Sequence, residues 1–499
     1  MSLQDAINAL KNNDFEGARL KIGPVTSSFT VQHFLIKGLA ELSLKDWASA
    51  RETFACAITR VKGKPFLWLN KGIAEENLGL SEDAMASYEA CLAVDPSQAL
   101  ACGNLSNLYR NANRLTEAET MARRALDLGA DKAEALNCLG LALARQGKAV
   151  EAKECFEQAL TLNPNHPLAL TNMADLFVDA LDFDKAWPLF AKAHAITDSP
   201  DIRRTEGLAR LLAGDFVRGF SLFEARLEEP AALRHRPACP LWDGKPLGDR
   251  RLLVVAEQGL GDVIHFCRYQ HFLNSDKIVW AVPRPLVRLL SPSLRGTVVD
   301  EDGDVPACDV FAPIASLPWL LRDALSGEAL AFPPVAMPYL NAPMEPILPL
   351  GTHKLSIGLV WAGSFSHKRD RERSIPLEIL AALLDCVEAD FYAPFIGKAL
   401  DQIGPLPLTR LDDRIHDFAD TASLLNQLDV LVCVDTAIAH LAGALGVRTF
   451  LLLPFCPDWR WGKEGNISRL YPSVTLVRQP SPGDWEGAVK KLIKSFPSD

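Results

Sequence analysis

The feature that most constrains this chain is a repeat with a period of 34 residues across its first 200 positions. The alanine position of the repeat holds Ala50, Ala84, Ala118, Ala152 and Ala186. The aromatic position holds Phe54, Tyr88, Phe156 and Phe190, with Ala122 as the one exception. Small residues at fixed offsets let two helices pack closely, and the aromatic ring fills the space beside them. Because one such hairpin cannot bury its apolar face alone, the pattern predicts a stacked array of helix pairs.

The composition is typical of a globular protein of several domains. The 499 residues are 48% hydrophobic and 23% charged, and a chain of this length predicts more than one domain. A formal net charge of −10 argues against nucleic acid as the main partner, because no basic stripe is available to neutralise phosphates. The scattered cysteines form no CxxC pair, and no long apolar run occurs. We therefore expect a cytoplasmic protein with reduced thiols, without signal peptide or membrane span.

The character of the sequence changes at Arg251. Short apolar strands alternate with helices from there onward, which is typical of parallel sheets with helices on both faces. A proline-rich stretch at 332–351 separates two such sheets. We expect four regions: a helical array at 1–229, a linker at 230–250, a short Rossmann-like domain at 251–345 and a second Rossmann-like domain at 346–499. Two such domains place a ligand site at the carboxyl ends of the strands.

A glycine turn and a carboxylate follow the first apolar strand of this region. The turn runs from Glu257 to Asp262, and its glycines permit a tight bend before the next helix. Asp262 is either a cap of that helix or a general base directed into the cleft. Both interpretations stay open on the sequence alone, and Glu257 is a second candidate for the base.

Basic residues are concentrated in the segment that follows the first strand of the second sheet domain. The strand ends near Trp361, Gly363 and Ser364, and Lys368 and Arg373 come shortly after it in an otherwise acidic chain. An ammonium group and a guanidinium fork both suit a phosphate ligand. The alternative is a solvated loop without a ligand.

The strongest site signal lies where an apolar strand ends at Asp435. Thr436 and Ala437 begin a helix whose first backbone N–H groups form an anion site, and His440 lies one turn further along. The alternative is that Asp435 and Thr436 only cap the helix and that His440 packs in the interior.

Aromatic residues follow a further strand at Asp458, Trp459, Arg460 and Trp461. The rings can stack on a base while the arginine contacts a phosphate, or the segment packs as a structural lid. No Asp-x-Asp motif is recognised between a predicted strand and a turn. The sequence therefore predicts neither a metal nor a cofactor beyond a nucleotide-sugar co-substrate.

The motifs in the sheet domains resemble those of the heptosyltransferase-like glycosyltransferases. The segments that carry the resemblance are 261–265, 361–376 and 435–446, and the fused repeat array is similar to that of the bacterial flagellin glycosyltransferases. The resemblance implies a GT-B fold with the nucleotide sugar in its second Rossmann-like domain. It implies that Asp262 is the catalytic base. The donor-binding residues expected from motif and resemblance are Trp361, Gly363, Ser364, Lys368, Arg373, Asp435, Thr436, Ala437, His440, Asp458 and Trp459.

The expected activity is the inverting, metal-independent transfer of a sugar from a nucleotide donor to a serine or threonine hydroxyl of a protein. The resemblance implies flagellin as the acceptor, recruited by the array. The loop before Asp262 and the short first domain differ from true heptosyltransferases, which argues against a lipopolysaccharide-core acceptor. The alternatives are a heptosyltransferase-type enzyme that acts on lipopolysaccharide or another glycan, and a non-catalytic repeat scaffold with a nucleotide-binding domain.

Asparagines recur at one position of the repeat, at Asn70, Asn104 and Asn172. Amide groups at this spacing form a ladder that can grip the backbone of an acceptor segment. The alternative is that the amides bond to neighbouring helix turns of the array itself.

Overall fold

The fold is that of a computed structural model, which describes residues 3–229, 233–343, 345–348, 354–365, 367 and 369–496. The chain forms two compact units, Met1–Leu176 and Phe177–Asp499. Because the division falls inside a helix of the array, the last helices of the array belong to the second unit. The domain boundaries expected at 229, 250 and 345 stay predictions.

Paired helices form a solenoid through the N-terminal region, which confirms the expected fold class. They are α1 (Leu3–Lys11), α2 (Phe15–Ile22), α3 (Val31–Ser43), α4 (Trp47–Arg60), α5 (Pro65–Asn77), α6 (Ser81–Val94), α7 (Ala99–Asn111), α8 (Leu115–Asp127), α9 (Lys132–Arg145), α10 (Ala149–Leu162), α11 (Pro167–Asp179), α12 (Phe183–Ile196), α13 (Pro200–Ala213) and α14 (Phe216–Phe223). The turn within each pair reuses one left-handed residue at the same period, at Lys45, Gly79, Asn113, Gly147 and Leu181. Local backbone geometry therefore repeats with the sequence.

The small and aromatic positions of the repeat pack against each other as the sequence predicted. A Cβ atom added at Gly72 would lie 2.6 Å from the ring of Tyr88, and one added at Gly140 would lie 2.6 Å from the ring of Phe156. Tyr88 and Phe156 are fully buried. The glycine lets the two helices of a pair approach until the ring fills the space between them.

We expect Gly140→Ala to destabilise the array. The added methyl group overlaps the Phe156 ring, so the free energy of unfolding should fall by about 1–3 kcal/mol in urea titrations. Gly103→Ala is the matched control, because Gly103 also lies within a helix and a Cβ there meets nothing within 4 Å. The control should gain about 0.5–1 kcal/mol from higher helix propensity. Equal stability of the two variants would contradict the packing role of Gly140.

The first sheet has four parallel strands in the order β3-β2-β1-β4. Its elements are β1 (Leu252–Val255), α15 (Leu260–Phe266), β2 (Ile278–Val282), α16 (Arg284–Leu290), β3 (Thr297–Asp300), β4 (Val310–Pro313) and α17 (Leu317–Leu320). The chain leaves β1 toward one side and returns to its other side at β4. The topological switch point of this sheet therefore lies between β1 and β4.

The second sheet has six parallel strands in the order β10-β9-β8-β5-β6-β7. Its elements are β5 (Leu355–Val360), α18 (Asp370–Arg373), α19 (Leu377–Leu380), α20 (Ala382–Cys386), β6 (Ala389–Ala393), β7 (Leu408–Arg410), α21 (Phe418–Leu425), β8 (Val430–Val434), α22 (Ala437–Leu445), β9 (Thr449–Leu453), β10 (Val474–Arg478) and α23 (Trp485–Ile493). Its switch point lies between β5 and β8, the two strands that precede the predicted donor motifs.

Helices α15 and α22 bring the two sheets together within the second unit. A Cβ atom added at Gly261 would lie 3.2 Å from both Ala437 Cα and His440 Cδ2. A Cβ at this position would be in tight contact with both residues, so glycine favours this approach, which joins the turn after β1 to the helix after β8. Among the described helices, none combines the length and the apolar character that crossing a membrane requires.

Candidate functional site

The crevice at the switch point of the second sheet is lined by the loops that follow β5 and β8. On the β5 side, Gly363 donates its N–H to Ser374 Oγ at 3.1 Å, and Arg373 lies against the Gly363 backbone. Arg373 Nε donates to Asp370 Oδ1 at 3.3 Å. Asp370 therefore holds a cation beside the strand end, where open α/β sheets bind ligands.

On the β8 side, the crevice meets the N-terminus of α22. Thr436 is the N-cap residue in an extended conformation, but its side chain makes no capping hydrogen bond. Its hydroxyl oxygen is buried and has no partner among the described residues. The helix N-terminus carries a partial positive charge, so the hydroxyl and the first N–H groups together suit an anionic ligand.

Arg460 brings a buried cation to the same crevice. It lies in the short 3-10 helix Trp459–Trp461, and its side chain is 13% exposed. Its guanidinium pairs with Asp458 Oδ1 at 2.8 Å and with Asp262 Oδ1. Although burial alone lowers the pKa of Arg460, the carboxylates of Asp458 and Asp262 raise it, so the group stays charged.

Several unpartnered buried polar atoms lie around this crevice. In the described part of the chain they include Thr436 Oγ1, Arg460 Nε and both ring nitrogens of His265. The His265 ring lies 5.6 Å from that of His440 and 6.0 Å from that of Trp459. A buried polar group without a partner costs about 1–3 kcal/mol, so a cluster of them is expected where a ligand supplies the missing hydrogen bonds.

Asp262 has two contacts in the structure. Its Oδ2 accepts the Gly259 N–H at 2.9 Å, so the residue does cap the start of α15. Its Oδ1 pairs with Arg460, and 22% of the side chain is exposed. The two interpretations left open by the sequence are therefore compatible, because one carboxylate oxygen caps the helix and the other faces the crevice.

Glu257, the second candidate for the base, is already engaged. Its two oxygens accept Arg226 Nε at 2.9 Å and Arg226 Nη2 at 2.6 Å, and Oε1 also accepts the Ala315 N–H at 3.1 Å. The Glu257 side chain is 1% exposed. Asp262 is ion-paired as well, but 22% of its side chain is exposed, so it is the enclosure of Glu257 that keeps an acceptor hydroxyl from reaching it.

The remaining predicted donor residues differ in position. The Trp361 ring is buried, where its Nε1 donates to Gln402 Oε1 at 3.1 Å and its face meets Phe395. Ser364 is exposed near the strand end. Lys368 lies outside the described residues. The predicted donor roles of these side chains stay predictions.

His440 is buried and bonds within the protein. Its Nδ1 lies 2.9 Å from the Tyr471 hydroxyl, and its ring stacks on Trp461 at 4.9 Å between centroids. Burial lowers the pKa of His440 well below its ordinary value, with Arg460 and Arg268 adding to the shift, so the ring is neutral. The His440 ring therefore packs against the Trp461 ring. The predicted contact of His440 with the donor stays a prediction.

The asparagines of the array donate hydrogen bonds inside the solenoid. Asn70 donates to the Phe66 carbonyl at 2.7 Å, Asn104 to the Tyr88 hydroxyl at 3.1 Å, and Asn172 to Asn137 Oδ1 at 2.7 Å. These bonds correspond to the alternative in which the amides bond to neighbouring helix turns, within α5 for Asn70 and to another helix for Asn104 and Asn172. The proposed grip on an acceptor backbone stays a prediction.

An Asp-x-Asp segment follows β3, which sequence reasoning overlooked because it did not recognise this strand. Asp300 Oδ1 accepts the Asp302 N–H at 3.2 Å, and Asp302 pairs with Arg234 and with His235. In the described part of the chain, no group of three or more histidine, cysteine or acidic side chains is arranged to hold a metal ion.

Two further residues were not marked by the sequence. His265 lies in the segment 261–265, one of those that carry the resemblance, but only the structure shows that it is buried beside His440 without a partner. Arg226 lies in the array, and its pairing with Glu257 joins residues 31 positions apart. No local sequence pattern predicts a pair between residues so far apart.

The Asp435 carboxyl at the crevice has a shifted pKa. Burial raises the pKa of Asp435 to about 6, and the negative charge of Asp458 adds to the shift. Because the ordinary value is about 3.9, the charged form is disfavoured in the folded state. The stability that this group contributes is present below about pH 4 and is lost as the pH rises through 6.

We therefore expect Asp435→Asn to melt at a higher temperature than the wild type at pH 8. The gain should be on the order of 1–3 kcal/mol and should shrink toward pH 4.5, where the wild-type carboxyl is protonated. Thermal melts at the two pH values measure it. A difference between variant and wild type that does not change with pH would contradict the raised pKa.

Comparison with known proteins agrees with the helical array. Family models described as tetratricopeptide repeat match residues 67–98, 99–129 and 133–166. The N-terminal helices are tetratricopeptide repeats. Similar solved structures include a tetratricopeptide repeat protein from Parabacteroides merdae, which is 14% identical, covers 46% of this chain and 91% of its own, and has a TM-score of 0.41. Another is YrrB, described as a TPR protein with an unusual peptide-binding site (22% identity, 36% and 95% coverage, TM-score 0.27).

One curated relative extends over both the tetratricopeptide repeats and the sheets. Protein FlbA of Caulobacter vibrioides is 24% identical over an alignment 547 positions long, which covers 93% of this chain and 89% of FlbA. The alignment is consistent with repeats fused to a further domain in this chain.

Proposed function

We propose that this protein is an inverting glycosyltransferase of the GT-B type. It moves a sugar from a nucleotide donor, bound at the second sheet, to a serine or threonine hydroxyl of a protein recruited by the tetratricopeptide repeats. The observation that carries the proposal is the unpartnered Thr436 hydroxyl and Arg460 Nε at a switch point, next to the Asp262 carboxylate. Groups that can bind an anion follow strands of the second sheet. They lie next to Asp262, which follows a strand of the first sheet and can accept a proton.

The chemistry follows from these groups. The bond between the anomeric carbon and the donor phosphate breaks, and its electron pair leaves with the phosphate oxygen. The acceptor oxygen forms the new bond to that carbon while its proton passes to Asp262. Arg460 and the N-terminus of α22 stabilise the negative charge that grows on the phosphate, which is where preorganised positive groups accelerate a reaction most.

The aromatic residues of the crevice suit the remainder of the donor. Trp459 and Trp461 flank Arg460 in the chain, and the His440 ring stacks on Trp461. An indole face beside an anion site can stack a nucleotide base or a sugar ring. Asp435 offers a carboxyl group for a hydroxyl of the donor.

The repeats supply the acceptor. Tethering a bound protein raises the local concentration of its hydroxyl groups to about the millimolar range, so weak contacts at the crevice suffice. Flagellin is the first acceptor to test, because the sequence resembles the flagellin glycosyltransferases.

Co-expression with flagellin followed by intact-mass spectrometry tests this function. We expect a sugar mass on flagellin with the wild type and much less with Thr436→Val, which removes the unpartnered hydroxyl without changing the size of the side chain. Ser495→Ala is the control, since that hydroxyl already donates to the Lys491 carbonyl at the far end of the chain. Sugar found only on a glycan, or nucleotide binding without any transfer, would overturn the proposal in favour of a glycan transferase or a scaffold.

Turnover is expected to persist in excess chelator. The positive charge required by the leaving group comes from Arg460, Arg373 and the α22 N-terminus, so the reaction as proposed needs no divalent metal ion. Transfer measured with and without a chelator checks this. Loss of turnover that magnesium or manganese restores would direct attention to the Asp300–Asp302 segment.

A further inference from the structure

The end of the repeat array fills the switch point of the first sheet. Arg226 lies in the 3-10 helix Glu224–Glu228, directly after α14, and is 4% exposed. Besides its fork to Glu257, its Nη2 donates to Ser316 Oγ at 2.7 Å and its Nη1 to the Phe223 carbonyl at 3.1 Å. Glu257 follows β1, and Ser316 follows β4. The guanidinium thus occupies the crevice in which an open α/β sheet would bind a ligand.

The same hairpin also reaches the second sheet. The Phe220 ring of α14 meets the Trp459 ring edge-on, with 5.5 Å between centroids and an angle of 86°. Trp459 precedes Arg460, the partner of Asp262. One hairpin therefore supports the loop that leads to Asp262 and the loop that carries Arg460.

We propose that the last helical hairpin of the array, α13 and α14 with the 3-10 helix after them, is part of the catalytic unit, and that Arg226 is a positioning residue for the Asp262 loop. The role in turnover rests on the proposed function. The positioning itself does not, since it concerns the order of residues 256–263.

The chemistry of the fork explains why an arginine stands here. Two parallel N–H···O bonds fix both the distance and the plane of the Glu257 carboxylate, whereas a lysine would fix only a distance. Gln258, the next residue, adopts a left-handed backbone with a φ of 65°. A strained residue persists where its surroundings hold it, and the Arg226–Glu257 fork is the adjacent support.

Hydrogen exchange on the full chain tests the proposal. In Arg226→Lys, amides of residues 256–263 should exchange at least tenfold faster, while those of α5 to α10 stay at the wild-type rate. Turnover, measured as nucleotide released, should fall at least tenfold with the donor KM unchanged. The control is Arg203→Lys, because Arg203 also forks a glutamate of the same 3-10 helix, Glu228, but touches neither sheet loop through it.

A triple variant separates positioning from simple stabilisation. Arg226 also pairs with Glu224 Oε1 at 2.7 Å. Arg226→Met with Glu257→Leu and Glu224→Gln therefore removes all three charges, so no buried ion is left unpaired and the melting temperature should recover toward that of the wild type. We expect the exchange of residues 256–263 to stay fast in this variant. Wild-type exchange there, in either variant, would overturn the positioning role. If the wild type transfers no sugar at all, the proposed function fails, and the exchange rates still decide the inference.

Discussion

Asp262→Asn is expected to lower turnover by roughly 10²–10⁴-fold with little change in donor affinity or melting temperature. The asparagine keeps the shape of the side chain and can still accept the Gly259 N–H, so the start of α15 stays capped. It cannot accept the proton of the acceptor hydroxyl. Steady-state release of nucleotide, with calorimetry for donor binding, measures both effects.

A second aspartate provides the control for capping. Asp484 accepts the Gly487 N–H at 2.8 Å at the start of α23, and its Asp484→Asn change should leave turnover untouched. If Asp262→Asn melts much earlier than the wild type yet keeps its turnover per folded molecule, Asp262 is only a helix cap. The base would then have to be sought at Glu257, despite its buried ion pair.

Arg460→Met is expected to reduce turnover by roughly 10²–10³-fold, the usual cost of removing one group that stabilises a leaving anion. Donor affinity should also fall, because the guanidinium is a charged partner for the phosphate. The variant leaves the carboxylates of Asp262, Asp458 and Asp435 without their shared cation. We therefore expect a lower melting temperature at pH 8 that recovers toward pH 5.

Two companion variants sharpen this prediction. Arg460→Lys keeps the charge but loses the planar fork, so it should recover stability more than turnover. Arg410→Met is the control, since Arg410 pairs with Asp412 at 2.8 Å on the exposed end of the same sheet. Turnover of Arg460→Met that equals the control's would remove Arg460 from the reaction.

The solenoid and most strands could be predicted because their signals are local. The pairs Gly72 with Tyr88 and Gly140 with Phe156 recur at a fixed spacing, and the close packing they imply is what the structure contains. Strands such as β8 and β9 are buried on both faces and read as continuous apolar runs.

Two of the four edge strands, β3 and β7, were missed for a physical reason. Most of their residues are at least partly exposed and their sequences mix polar with apolar residues, whereas the edge strands β4 and β10 are largely buried and were predicted. Without β3, the Asp300–Asp302 segment could not be recognised as lying at a strand end. Short strands at a sheet edge are defined by their partners more than by their own residues.

The candidate site was predictable in outline but not in its pairings. Thr436 and Asp262 were marked because strand ends and helix starts have sequence signals. The Asp262–Arg460 pair spans 198 positions, and the Arg226–Glu257 fork spans 31. Only the folded chain brings such partners together, and these pairings decide which carboxylate faces the crevice.

The location of the division inside α11 has a consequence for how such proteins can evolve. The helices before Phe177 pack as a unit of their own, so changes in repeat number are expected there. The hairpin that carries Phe220 and Arg226 is more constrained, because Phe220 packs on Trp459 and Arg226 pairs with Glu257. Natural variants of this architecture should therefore differ in repeat number at the N-terminal end, with the final hairpin retained as a fixed frame.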